Sequence, residues 1–573
     1  MEENESATAR QGGSWEEVAR ARRERLAAAI PPEWVLSSDL LGRLDTCTDV
    51  RHAPAEAGFL SPRELALTDI DDAARLCRML AERECSAVEL VMAFCKRAAI
   101  AHQLLNCCLD LFFDEALKRA RVLDDELERT GRPVGVLHGL PISLKDQFNV
   151  VGHDTTLGYV GRDSQPADHN STLVEGLLAQ GAVLYVKTSL PQSIMKPETV
   201  NHLIGRTTHP ADRRLSPGGS SGGEGALLAF HGSPLGVGTD IGGSIRIPSA
   251  LCGLYGLRPT HGRVPYFRAE NTMDGQESVH SVCGPMGRSL ESIELFMRAN
   301  SLAQPWLHDP KVVPLPWDDA KVGATAKAEQ LVFGVIWTDG EATPHPPITR
   351  ALRETVAKLR AAGHEVIDWD ASSHREAFEL GCKFWTMDGG KDFEENVRAS
   401  GEPRIDGVYV GRPEDELSVY QLMQLNRRRY EWAGRYLARW NASAQRTACG
   451  RPIDVILSPV LALVGAPHES LHHVGYTIPW NLLDFPALTV PIATVEPHGR
   501  DAAAPLDYIA AEGRAPHGES DVANQALWQA RGGVEGFGGL PVVVQVVGRR
   551  FEEERVVGAA RAIQRALLSA VEE

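Results

Sequence analysis

Residues Ser171 to Pro191 read STLVEGLLAQGAVLYVKTSLP, and this run decides the fold class. Its first half sets Leu173, Val174, Leu177 and Leu178 at helical spacing behind Ser171 or Thr172 as the N-cap, and Gly181 closes the last turn. Its second half, Ala182 to Lys187, is short, apolar and bounded by a turn, as a buried strand is. Helix, glycine and strand in succession make an α/β unit.

The alternation continues outward. Upstream, VGVLHGLPISLKDQFNV (Val134 to Val150) combines β-branched residues, Gly and Pro in a strand-turn idiom, after a helical pattern from Ala73 to Leu127. Downstream, strands are expected at Leu331 to Trp337, Asp454 to Val460, Ala487 to Val495 and Leu540 to Gly548. Near the start, Trp15, Val18, Ala19 and Leu26 recur at helical spacing in an amphipathic arm that ends at Pro31 and Pro32. The pattern predicts a mixed sheet covered by helices. No internal repeat is visible, and the Pro/Ala/Gly-rich run from Glu496 to Arg531 reads as a surface excursion.

Composition narrows the function classes. The 573 residues are 43% hydrophobic, as in soluble globular proteins. A formal net charge of -17 opposes an extended nucleic-acid or anionic-membrane surface, which needs clustered Lys and Arg. The first 30 residues lack the basic patch and apolar core of a signal peptide, and no apolar run approaches a bilayer span. Ten cysteines without CxxC or metal spacing fit reduced, mostly buried thiols. A soluble cytoplasmic protein is expected.

Two glycine-rich loops carry the chemistry: LSPGGSSGGEGALLAF (Leu215 to Phe230) and GVGTDIGGSIRIPSALCGLYGLRP (Gly236 to Pro259). A phosphate loop would need Lys and then Ser/Thr after its last glycine, whereas Gly222-Gly223 is followed by Glu224, whose charge repels phosphate. GVGTDIGG misses the dinucleotide fingerprint because Ile241 holds the third glycine position. Gly218 to Gly222 satisfies G-x-S-x-G, but the polar, proline-ended residues before it are no buried strand. His468-Glu469-Ser470-Leu471-His472 satisfies H-E-x-x-H, yet Pro467 and Gly475 leave barely two turns for the helix a zinc site requires, so a polar loop is expected. What remains is nucleophilic catalysis without histidine. Serine needs a neighbouring base, and a lysine serves if burial lowers its pKa. Lys145 lies in apolar sequence, behind Leu140, Ile142 and Leu144, although a surface ion pair with Asp146 is the competing reading of that residue alone.

Lysine after an apolar strand, Gly-Gly-Ser-Ser-Gly-Gly, and Gly-Thr-Asp-Ile-Gly-Gly-Ser-Ile-Arg, in that order and spacing, resemble the amidase signature family. The likeness runs strongly from Ala87 to Ala299 and returns at IPWNLLDFPALTVPI and LPVVVQVVGRRFEEE. It implies the amidase signature fold, a large twisted mixed sheet with helices on both sides. It implies a Ser-Ser-Lys triad of Lys145, Ser220 (after a cis peptide) and Ser244 as nucleophile. It implies an oxyanion hole from the amides around Ile241, Gly242, Gly243 and Ser244, with Ser221 helping to hold Lys145 and with Asp240 and Arg246 fixing the loop. By the family pattern Ile194 lies at the acyl site, and residues 304–473 build most of the pocket wall, with Trp385 and Asp388.

The implied activity is hydrolysis of a carboxylic amide through an acyl-enzyme, without metal or other cofactor, on a small-molecule amide. The arm SWEEVARARRERLAAAIPPEWVL and the run MKPETVNHLIGRT look most like the fungal acetamidase-type amidases. A fatty-acid or aryl amide hydrolase and a biosynthetic amide-tailoring enzyme are the alternatives, and a non-enzymatic scaffold would have lost a triad residue. The expected organisation is a helical arm (1–75) and a catalytic domain (76–573) with its motif core at 130–300, without nucleic acid or transmembrane anchor, and compatible with a homodimer.

Overall fold

A computed structural model of the chain describes residues 13–569. One mixed sheet of eleven strands organises it. In chain order the strands are β1 (Cys108–Leu111), β2 (Pro141–Lys145), β3 (Val183–Thr188), β4 (Leu235–Asp240), β5 (Tyr255–Arg258), β6 (Val282–Gly287), β7 (Val332–Val335), β8 (Glu365–Asp368), β9 (Val455–Pro459), β10 (Ala487–Thr494) and β11 (Pro541–Val547). Across the sheet they run β1-β3-β2-β4-β6-β5-β10-β11-β9-β7-β8. Helices flank this sheet, as an α/β protein requires.

The expected unit is present. The helix is Thr172–Ala179 with Ser171 at the N-cap position, and β3 follows. Ser171 does not cap with its side chain, because its hydroxyl accepts from the Asn149 amide at 2.7 Å. β2 lies between β3 and β4, parallel to both, and all three strands are buried along their whole length. Ligand sites in such sheets form outside the carboxyl ends of parallel strands. Here those ends are Lys145, Thr188 and Asp240.

The amphipathic arm forms the helix Trp15–Ala29, opened by a capping box of Ser14 and Glu17. Its Arg22 is buried and donates to Leu109 O of β1 at 3.0 Å and to Asp154 at 2.7 Å, while Leu26 joins the main core. Three expectations need correction. The helical pattern from Ala73 to Leu127 is interrupted by β1, which covers the edge of β3. The run 496–531 is no mere excursion: it holds the helix Glu519–Ala530, whose Trp528 is fully buried and stacks on Phe537 at 5.6 Å in a second apolar cluster. β4 and β6, unpredicted, are glycine-bearing strands at the centre of the sheet. No helix among the described residues is long and apolar enough to cross a membrane.

Candidate active site

Lys145 ends β2 with its side chain wholly buried. Its Nζ lies 2.7 Å from Ser220 Oγ and 2.7 Å from Thr239 Oγ1. Burial pushes the ammonium down to about 7, against the carboxylates of Asp240 and Glu224, which hold it up. The competing surface ion pair with Asp146 is absent: Asp146 turns the other way, accepting from the Thr156 amide at 2.7 Å and pairing with buried Lys187 at 3.4 Å.

Ser220 follows a cis peptide from Gly219. Gly219 is packed so closely that a Cβ there would come within 2.7 Å of the main chain of Lys196 and Glu198. After Ser221 the chain enters the helix Gly222–Ala229. Ser221 bonds to the Thr239 main chain, accepting from its N–H at 3.2 Å and donating to its C=O at 3.3 Å. It therefore reaches Lys145 through Thr239 and not by direct contact. Glu224, one turn along, is fully buried and accepts from Ser143 Oγ at 2.6 Å and Thr188 Oγ1 at 3.0 Å. Burial raises its carboxyl to about 8, with the two hydroxyls and Lys145 acting in the opposite sense.

Ser244 stands in the loop between β4 and the helix Arg246–Cys252. Asp240 fixes this loop from within. It accepts from the Gly243 amide at 2.9 Å and the Ile245 amide at 3.2 Å, pairs with Arg246 at 3.0 Å and accepts from Asn481 at 2.8 Å. Burial would raise the Asp240 carboxyl, yet Arg246 and Asn481 bring it down to about 2. Gly243 has φ +131, and a Cβ there would meet Thr477 Oγ1 at 2.6 Å, so glycine is required. The Ser244 carbonyl accepts from the Ser221 amide at 3.2 Å, which ties the two glycine loops together. Because the Gly243 N–H is held by Asp240, it is the least available of the four amides expected to form an oxyanion hole. Those of Ile241, Gly242 and Ser244 have no acceptor among the described residues. Unpaired N–H groups in a half-buried loop are uncommon and mark a place for an acceptor.

A cavity of about 460 Å³ opens beside Ser244 and Gly242. Ile194, Ile247, Phe378, Trp385, Leu471 and Val474 are in its wall. Ser193 and Ile194 have φ +65 and +59, the second unusual for a β-branched residue, and the turn is held by an Ile194 N–H bond to Pro191 O at 2.8 Å. Trp385 lies over Gly242 as part of the wall; Asp388 does not line it, and instead accepts from the amides of Gly390 and Asp392 at the start of the helix Lys391–Arg398. The H-E-x-x-H residues lie in an irregular loop with Glu469 at φ +66, His468 facing the Arg213 carbonyl at 3.3 Å and His472 lining the cavity. No cluster of three metal-ligating side chains occurs among the described residues.

A family model described as Amidase matches residues 89–557. The chain belongs to the amidase family. It is 40% identical over 559 residues to an acetamidase of Emericella nidulans, covering 97% of this chain and 98% of that one. It is 42% identical over 508 residues to Amidase 1 of Gibberella moniliformis, covering 88% and 94%. A solved structure of a fatty acid amide hydrolase superposes with a TM-score of 0.87 at 33% identity, covering 96% of this chain and 95% of that one. The protein is thus a hydrolase acting on amide C–N bonds. Of the residues expected in the site, Lys145 and Ser220 are in contact, and Ser244, Ile194, Ile241 and Gly242 share one cavity. Sequence reasoning missed the roles of Thr239, Gln147 and Glu198. Thr239 lies beside the recognised Asp240, and Gln147 lies two residues beyond Lys145, so proximity to the motifs was the available signal.

Proposed function

We propose that this amidase cleaves carboxylic amides with Ser244 as nucleophile, Ser220 as proton relay and neutral Lys145 as base. The observation that carries the reading is the Lys145 Nζ to Ser220 Oγ contact of 2.7 Å at a lysine whose pKa burial has brought down to about 7. A lysine is a base only when unprotonated, and near pH 7 a large share of this one is.

Hydrogen-bond direction supports the relay. Gln147 Nε2 donates to the Glu270 carbonyl at 2.9 Å, which leaves Gln147 Oε1 as an acceptor, and Thr239 Oγ1 donates to it at 2.5 Å. A hydroxyl has one proton to give. Thr239 can therefore only accept from Lys145, and an N–H of the lysine is drawn toward it. The lone pair of the neutral amine is left for Ser220.

Ser244 Oγ attacks the carbonyl carbon as its proton passes to Ser220 and the Ser220 proton passes to Lys145. The tetrahedral oxyanion is met by the unpaired amides of Ile241, Gly242 and Ser244. Ser220 then protonates the leaving nitrogen and regains a proton from Lys145, so the C–N bond breaks and ammonia or an amine departs. Water attacks the acyl-enzyme, giving up a proton through the same relay, and releases the acid and free Ser244.

A two-part chain, with arm 1–75 and catalytic domain 76–573, and a cytoplasmic setting complete the proposal; the second is supported by cysteines that are all free thiols. A fluorophosphonate probe tests the nucleophile. Mass spectrometry should find the adduct on Ser244, and Ser244→Ala should abolish both labelling and hydrolysis. Labelling of another serine with hydrolysis intact in Ser244→Ala would end the assignment.

A further inference from the structure

The cavity beside Ser244 is too large and too apolar for the smallest amides. At on the order of 30 Å³ for each water-sized atom, the four heavy atoms of acetamide fill about a quarter of its 460 Å³. The apolar wall residues that face away from solvent include Ile194, Met195, Ile247, Trp385 and Leu471, with half-buried Phe378 and Val474 beside them.

Charge is present in that wall but already engaged. Lys196, 8% exposed, gives its ammonium to the Asp406 carbonyl. Glu198, 4% exposed, accepts from the amides of Glu469 at 2.8 Å and Leu471 at 3.4 Å. The exposed polar residues Asp406, Tyr409, Glu469 and His472 form the mouth, and the ammonium of Lys196 is turned to the Asp406 carbonyl there, with the Glu198 carboxylate also in the wall. Glu469 is itself paired with Arg206 outside. A carboxylate carried inward would lose its water and meet the Glu198 and Glu469 carboxylates, with Lys196 already engaged at the mouth.

We infer that this amidase selects amides of uncharged, apolar acyl groups of about six to ten carbons, straight-chain or aromatic, and that acetamide is a poor substrate for it. The inference rests on the hydrolase reading above and deepens it. Each methylene moved from water into such a wall stabilises by about 0.8 kcal/mol, which is about fourfold in kcat/KM. Four methylenes separate acetamide from hexanamide, so roughly two orders of magnitude should separate their kcat/KM values.

The test is a kcat/KM series with the full-length protein on acetamide, butanamide, hexanamide, octanamide, phenylacetamide and adipamic acid, whose far end is a carboxylate. The expected result is a rise of about fourfold per carbon to hexanamide, phenylacetamide close to hexanamide, and adipamic acid at least about tenfold below it. Cys382→Trp, which narrows the cavity from the helix His374–Phe384, should shrink the hexanamide-to-acetamide ratio at least tenfold, with fluorophosphonate labelling reporting that the variant is folded. A flat series, or adipamic acid equal to hexanamide, overturns the inference while leaving the hydrolase reading in place if Ser244 is still labelled. Absence of both turnover and labelling would overturn both.

Discussion

Thr239 Oγ1 donates to Gln147 Oε1 at 2.5 Å, and this makes Thr239 an acceptor toward Lys145. Removing the Thr239 hydroxyl leaves the amine without the acceptor that orients it and leaves Gln147 Oε1 bare. Thr239→Val should lower kcat by about 10- to 100-fold, the value of one hydrogen bond to a charged group, with KM little changed. Thr239→Ser should restore most of the loss. If Thr239→Val matches the wild type across the pH range, the hydroxyl has no orienting role.

Ionised Glu224 holds the Lys145 pKa up by charge, and burial raises its own carboxyl to about 8. Glu224→Gln keeps an acceptor for one of the two hydroxyls and removes the negative charge. A lysine without that neighbour loses its proton more readily, and the rising limb of the pH–rate profile should move to lower pH. A limb that stays in place or moves up would refute the coupling.

Asp240 and Arg246 are both fully buried, so breaking the pair leaves an uncompensated charge. Asp240→Ala should destabilise the protein by about 3–5 kcal/mol in urea unfolding at pH 7. The sign with pH follows from the depressed carboxyl pKa. Its contribution is present above the unfolded value near 3.8 and is lost as pH falls through about 2, so the gap between wild type and variant should narrow only below about pH 4. A variant as stable as the wild type at pH 7 would contradict the pairing.

Glu198 fastens the loop that brings Leu471 and Val474 to the cavity. Glu198→Ala frees the amides of Glu469 and Leu471 and should raise KM for hexanamide several-fold, with a smaller change in kcat. An equal fall in kcat with KM unchanged would assign Glu198 to the chemistry and not to the wall.

The sequence reveals the fold where periodicity is strong. The helix Thr172–Ala179 with β3, and strands β7, β9, β10 and β11, lie where their apolar patterns predict. Glycine hides the rest: LGVGTD and VCGPMG form central strands β4 and β6, because small residues there let Ser221 and the main chain of Leu257 approach. The site divides in the same way. Lys145 and the two glycine loops stand out by motif, whereas the work of Thr239 depends on which partner takes its proton, a fact of three-dimensional contact. Asp388 looks like a wall residue because it neighbours Trp385, yet a helix N-terminus claims its carboxylate.

The central claim, that a neutral lysine drives the relay, is tested most directly by kcat/KM for hexanamide across pH 5 to 10 in wild type, Lys145→Ala and Lys145→Arg. Wild-type activity should climb through a midpoint near 7, where burial has brought Lys145, and level off above it. Both variants should lose several orders of magnitude, because guanidinium keeps its proton throughout this range. If Lys145→Arg retains most of the wild-type activity, the residue acts through its charge alone and the Ser-Ser-Lys relay is wrong.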